Sequence, residues 1–214
     1  LRKIMIMMSR AGEHLTEELR KKYYFDKITS AAVRMSALIA DVLNYSRVDN
    51  KALSFTKVDL NEIIQEALND LSLIREEKNA TVEIGGLPTV SGLSTQLRQL
   101  FFNLINNALK FTSDQPSVKI ASSVVSSADA LFDDQLSPSQ KYHLITVTDN
   151  GIGMDSQYSG RIFDMFQRLH QRDQYGGNGI GLALCKRIIE NHNGAINFAS
   201  TPGSGTTFYI YLPV

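Results

Sequence analysis

Residues 175–185 read YGGNGIGLALC, with four glycines inside six positions and an apolar helical stretch behind them. The backbone N–H groups of such a turn point outward, and the dipole of the helix it opens favours negative charge. The stretch is therefore a candidate phosphate cradle. A P-loop needs Gly-x-x-x-x-Gly-Lys-Ser/Thr, and no Gly-Lys pair occurs in the chain. The dinucleotide fingerprint needs G-x-G-x-x-G after a buried strand; here Gly177, Gly179 and Gly181 alternate with other residues, and the preceding HQRDQY is no strand. The H-R-D and D-F-G signatures of eukaryotic-type protein kinases are absent. A glycine-rich turn that holds no ligand is the plain alternative.

A second group with chemical potential lies at Gln99, Asn103, Asn107 and Lys110. Their spacing of 4, 4 and 3 lines them up in one polar row on a helix. Carboxamide oxygens suit Mg²⁺, which keeps several waters and shares phosphate ligands. A solvated helix face would look the same. The third group is VTDNGIGM, residues 147–154. Asp149 ends an apolar run, so its carboxylate can accept from an exocyclic amine, and the glycines at 151 and 153 let the backbone close in. An Asp-Asn-Gly turn between elements is the competing reading.

The elements that must carry these groups follow from the pattern of the 214 residues, 43% of them hydrophobic, enough for a packed core. Lys+Arg and Asp+Glu balance at 22 each, so nothing points to nucleic acid or an anionic membrane surface. The single cysteine, Cys185, excludes an internal disulfide, fits a reducing compartment, and reads as a buried structural thiol. No apolar run approaches the ~20 residues of a membrane span, and no signal peptide is seen. The opening LRKIMIMM begins mid-pattern without an initiator Met, so a longer parent chain is expected.

Residues 1–20 and 22–48 read as two helices with a turn near Arg20–Tyr24, a pair that needs a partner to bury its apolar stripe. Residues 49–57 are polar and linker-like. Asp59 and Glu62 match a capping box, with an amphipathic helix over 60–78. Strands are predicted at 81–84, 88–90, 117–125, 141–149 and in the final AINFAS and TTFYIYL, and helices at 94–111 and 178–192. Residues 126–140 read as an exposed hairpin loop. In the first of these two helices, Leu97, Leu100, Phe101, Leu104, Ile105 and Ala108 form the core stripe beside the polar row. The class is α+β, with helices on one face of a sheet.

NLINNALKFT, DNGIGMD, IFDMFQRLH, GGNGIGLAL and PGSGTTF follow one another across residues 103–208. In that order they resemble the N, G1, F and G2 boxes and the last glycine turn of two-component sensor histidine kinases, of the GHKL ATPase superfamily. Residues 1–50 resemble the family's dimerisation helices. The resemblance implies a Bergerat-type α/β sandwich, largely antiparallel, preceded by a helical hairpin. It implies three regions: a dimerisation and phosphoacceptor hairpin over 1–50, a linker over 51–57, and an ATP-binding catalytic domain over 58–214. ATP and Mg²⁺ are the implied substrate and metal.

By the same resemblance, Asp149 receives the adenine amino group, and Gly151 and Gly153 shape that side of the pocket. Asn103, Asn107 and Lys110 meet the phosphates, with Asn107 the direct Mg²⁺ ligand and Asn103 a second candidate. Residues 158–176 form an ATP lid anchored by Phe163 and Phe166, with Arg168 and Arg172 near the γ-phosphate or simply solvated. Gly177, Asn178, Gly179 and Gly181 bring their backbone to the phosphates, and Leu182 and Thr206 complete the set.

Two departures stand out. The G2 box commonly reads G-T-G, and here Asn178 takes the middle place. The acceptor histidine is expected just upstream, because its motif runs into a segment like Leu1-Arg2-Lys3-Ile4. His14 lies about two and a half turns beyond that place and reads as an ordinary helical residue; His143, His170 and His192 show no metal-ligand spacing. The implied activity is phosphoryl transfer from ATP to histidine, then to an aspartate of a response-regulator receiver domain, by a homodimer formed through the N-terminal helices. A cytoplasmic location is expected, with membrane attachment of the parent left open. The alternatives are another GHKL ATPase, which would carry a glutamate base where Asn103 stands, and a non-enzymatic nucleotide-binding or dimerisation module.

Overall fold

The computed structural model describes residues 2–47, 54–112, 115–127, 136–137, 140–155, 158, 160–167 and 178–214. The chain divides into two compact units, Leu1–Leu43 and Asn44–Val214.

Helix α1 runs unbroken over Arg2–Arg47. The turn expected near Arg20–Tyr24 is not formed, so this part of the chain is one helix and not a hairpin. The reason is local: RKKYY holds no glycine or proline, and Arg and Lys are good helix formers. Leu19, Tyr23, Phe25, Ile28, Met35 and Ile39 stand exposed along it.

The second unit has the expected α+β build. Strand β1 (Thr56–Asp59) leads into helix α2 (Leu60–Asp70), with Asp59 as N-cap accepting the Asn61 N–H at 2.8 Å. Thr56 and Lys57, expected in the linker, belong to this strand. The single helix expected over 60–78 breaks at Leu71, and α3 (Ser72–Glu77) follows. Leu71 is buried, with φ −101° and ψ 8°, so packing of its side chain overrides the helical continuation. Strands β2 (Thr81–Ile84) and β3 (Thr89–Gly92), helix α4 (Ser94–Lys110), strands β4 (Ser117–Ser126) and β5 (Lys141–Asp149), helix α5 (Gly181–Asn191) and strands β6 (Ala195–Thr201) and β7 (Gly205–Pro213) complete it.

Five strands form one mixed sheet in the order β2-β4-β5-β7-β6, and β1 pairs with β3 separately. Only β2–β4 is parallel within the larger sheet. Strand alternation sends Ile120, Ile145, Val147, Phe208 and Ile210 to the face covered by α2, α4 and α5. There they meet Ile64, Leu97, Phe101, Leu104, Ile105 and Ile188 in one core. Truncating one of these to Ala typically costs ~2–5 kcal/mol, so the stripe that carries the polar row of α4 is held as firmly as the core. On the other sheet face Tyr142, Ala195 and Tyr211 pack with Leu136. Leu136 and Ser127 are buried, so the 126–140 connection is not exposed throughout its described residues: Leu136 folds back onto the sheet.

Candidate functional site

Asp149 is the last residue of β5 and pairs with Val118 on one side and Thr206 on the other, which places its side chain on the helix-covered face. Its Oδ1 accepts the Gly151 N–H at 2.8 Å and the Thr206 N–H at 3.2 Å. Oδ2 accepts from no described residue. Burial pushes the carboxyl above the ordinary carboxylate value, and the two N–H donors oppose that in part. A desolvated carboxylate with one oxygen pinned and the other open is suited to receive a hydrogen-bond donor from a ligand.

The glycines beside it are required by space. A Cβ on Gly151 would stand 2.8 Å from Asp149 Oδ1 and 2.9 Å from the Phe111 carbonyl oxygen. Gly153 has φ +66°, and a Cβ there would stand 2.0 Å from the Thr201 carbonyl oxygen. The loop is tied to the end of α4 by the Ile152 N–H, which donates to the Phe111 carbonyl at 3.0 Å. That end is capped from a distance: Lys78 Nζ donates to the carbonyls of Leu109 at 2.7 Å and Thr112 at 3.1 Å. Cations favour helix C-termini, where carbonyls lack partners. Nothing in the sequence around Lys78 signals this, because its partners lie more than thirty residues away.

Farther back on α4 the polar row meets the start of α5. Asn103 Oδ1 accepts from Gln99 Nε2 at 3.2 Å, and its Nδ2 donates to the Gly181 carbonyl at 3.5 Å. Asn107 is half-buried, and its carboxamide carries no hydrogen bond to any described residue. Lys110 lies with Nζ 4.7 Å from the centre of the Phe111 ring. One helix thus touches both ends of the site: Asn103 at the α5 N-terminus and Phe111 at the Asp149 loop. Eight residues at ~1.5 Å rise separate them by about 12 Å, the scale of one nucleotide.

Of the glycine cradle, Gly177 lies outside the described residues, as do Arg168, His170, Arg172 and most of the 158–176 segment. Asn178 and Gly179 precede α5, and Gly181 and Leu182 are its first two residues. Gly179 has φ +71°, and a Cβ there would stand 2.6 Å from the Gln167 carbonyl oxygen. Phe163 packs edge-on to Phe198, 6.1 Å between ring centres. Phe166 is 55% exposed; it sits at φ 65°, and its N–H donates to the Gly179 carbonyl at 2.9 Å.

Behind the site, Cys185 is buried, its thiol pushed up to about 12, which leaves it inert. His192, at the end of α5, is buried. Its Nε2 accepts the Leu93 N–H at 3.0 Å, and its Nδ1 donates to the Ile188 carbonyl at 2.7 Å, so the ring is neutral with the proton on Nδ1. Burial lowers its pKa. The side chain of His14 lies outside the described residues. No group of three His, Cys, Asp or Glu able to hold a metal is found among the described residues.

Residues 92–214 match the model of the histidine kinase-, DNA gyrase B- and HSP90-like ATPases. The chain belongs to that family. Phytochrome-like protein Cph1 of Synechocystis sp. is 39% identical over 212 residues, 99% of this chain and 26% of that protein. The circadian input-output histidine kinase CikA of Synechococcus elongatus is 32% identical over 212 residues, 93% of this chain and 26% of that protein. The chain thus spans about a quarter of these relatives' length. Full-length ShkA, solved in complex with AMPPNP, superposes with a TM-score of 0.66 at 23% identity, over 90% of this chain and 39% of that one. This ATPase domain is of the sensor histidine kinase type, with that type's mixed sheet and covering helices. No helix among the described residues is long and apolar enough to cross a membrane.

Proposed function

We propose that this domain binds Mg²⁺-ATP between α4, α5 and the ends of β5 and β7, and donates the γ-phosphoryl group to a histidine of the parent kinase. The observation that carries the reading is the Asp149 carboxylate, pinned at Oδ1 by Gly151 and Thr206 and open at Oδ2. There it accepts the adenine amino group, with Gly151 and Gly153 allowing the loop to pack closely beside the carboxylate. The N-terminus of α5, with Asn178, Gly179 and Gly181, turns backbone N–H groups toward the triphosphate. Phe163, Phe166 and Leu182 complete the enclosure, Lys110 adds charge, and Gly177 is assigned to the phosphates by the resemblance alone.

The donor set fits a hard divalent cation. Asn107 has an uncommitted carboxamide oxygen and is the first ligand; Asn103, already engaged by Gln99 and Gly181, is the second candidate. Mg²⁺, when bound, neutralises charge that develops on the phosphate oxygens. The chain's own part is positioning and dipole stabilisation. Asn103 cannot act as a base for water, which favours transfer to an imidazole nitrogen over hydrolysis. In that step the bond between the γ-phosphorus and the bridging oxygen breaks, ADP leaves, and a nitrogen–phosphorus bond forms. An aspartate of a receiver domain then takes the phosphoryl group.

The regional division is read as dimerisation helix over 1–50, linker over 51–57 and catalytic domain over 58–214, except that the last two linker residues, Thr56 and Lys57, already belong to the catalytic domain's first strand. The exposed apolar residues of α1 support a homodimer through that helix, since such a row is unfavourable in water. The test is incubation of γ-labelled ATP with the chain carrying the upstream segment that the resemblance expects. Acid-labile, base-stable label on the protein supports the proposal; free phosphate alone means a hydrolase, and neither product means a binding module.

A further inference from the structure

Ser200, next to last in β6, belongs to none of the five glycine- and asparagine-bearing boxes, yet its hydroxyl meets three partners. The Met154 N–H donates to Ser200 Oγ at 2.8 Å. The Gly205 carbonyl lies 2.9 Å from Oγ, and so does Thr206 Oγ1. A hydroxyl has one proton and two lone pairs. A carbonyl can only accept, so the Ser200 proton goes to Gly205. One lone pair takes the Met154 N–H, and the other is left for Thr206, whose hydroxyl must then be the donor. The direction of every bond in the group is thereby determined.

We infer that Ser200 is a specificity-determining positioning residue: it holds the Thr206 hydroxyl proton, so that Thr206 can act toward the site only as an acceptor. Thr206 is also the residue whose N–H pins Asp149 Oδ1. The base end of the site then offers two acceptors, Asp149 Oδ2 and Thr206 Oγ1, and no hydroxyl donor. Such an end selects a purine with an amino group at C6 and rejects one with a carbonyl, which would face acceptors on both sides. Ser200 is half-buried, and through Met154 and Gly205 it also fixes the loops on either side of Asp149. The inference rests on the nucleotide reading above.

The test is calorimetric titration of the whole chain with ADP and with inosine diphosphate, in wild type, Ser200→Ala, Thr206→Val and the double variant. The wild type is expected to prefer ADP. Ser200→Ala is expected to reduce that preference by about 3- to 10-fold, the scale of one hydrogen bond. Thr206→Val, which keeps the shape and lacks the hydroxyl, is expected to lose a similar factor, and the double variant no more than either single one. Equal weakening of both nucleotides by Ser200→Ala, or losses that multiply in the double variant, would overturn the inference while leaving the nucleotide reading intact. A wild type that binds neither nucleotide would overturn that reading and the inference together. If Ser200→Ala does not fold, Thr206→Val alone decides: an unchanged preference overturns the role assigned to the hydroxyl.

Discussion

Gly205 brings β7 so close to Asp149 that a Cβ on it would stand 1.9 Å from the Asp149 carbonyl oxygen. The next residue, Thr206, then reaches the Asp149 carboxylate with its N–H. The last glycine turn is therefore packed directly against the Asp149 carboxylate. Gly205→Ala, at φ +90°, should lose nucleotide binding and lower stability by at least ~1–3 kcal/mol from strain alone. Urea unfolding and titration with ADP check both; a variant as stable as wild type would contradict the geometry.

Gly181 offers the opposite case. A Cβ there meets nothing nearer than Asn103 Cγ at 3.8 Å, ordinary contact distance. Gly181→Ala should fold normally, with stability unchanged or raised by up to ~1 kcal/mol. If the α5 N-terminus approaches phosphate, the same variant should bind ADP at least tenfold more weakly. Thermal unfolding beside calorimetry separates the two effects.

Asp149 carries a charge that burial disfavours. Asp149→Asn keeps an oxygen for Gly151 and Thr206 and removes that charge. It should raise the melting temperature without ligand, by about 2 °C, while abolishing ADP binding. In the wild type, ADP affinity should fall with pH at a point above the ordinary Asp value of 3.8, because protonation removes the acceptor. Affinity flat down to pH 4 would argue against Asp149 as the anchor.

His192 makes stability depend on pH. Its folded pKa lies below the ordinary 6.5, so the unfolded chain binds the proton first as pH falls. The stability it contributes is complete above 6.5 and is lost as pH drops from there toward the lowered folded value. Protonation would also break the Leu93 bond. His143 is lowered by burial too and acts with the same sign, so the His192 share is the difference between wild type and His192→Gln. Urea midpoints measured between pH 7.5 and 5 should fall more steeply in the wild type.

Lys78→Met should cost about 1.5–3 kcal/mol, the range for hydrogen bonds from a charged donor, because the carbonyls of Leu109 and Thr112 lose their partner. It should also loosen Phe111, whose carbonyl holds Ile152, so hydrogen exchange at the Ile152 amide is expected to quicken.

Most strands and helices of the second unit were legible because each has a strong local period: the stripe from Leu97 to Ala108 and the alternation in β5 and β7 allow one burial pattern each. The candidate groups were legible in the same way. Asn103 and Asn107 fall on one helix face, and Asp149 with its glycines is contiguous in the chain. Local sequence did not decide whether Arg20–Tyr24 turns, since no residue there forbids a helix, or that Leu71 breaks one, since burial does that. It also could not reveal Lys78 on the end of α4, Ser200 between Met154 and Thr206, or His192 against Leu93. Apart from the short Ser200–Thr206 step across the last hairpin, those relationships join residues dozens of positions apart, and a hydrogen bond between them leaves no period in the chain. Sequence alone determined which residue types were available to bind a nucleotide. Tertiary structure decided which of their oxygens and N–H groups are already engaged, and therefore what each can still offer a ligand.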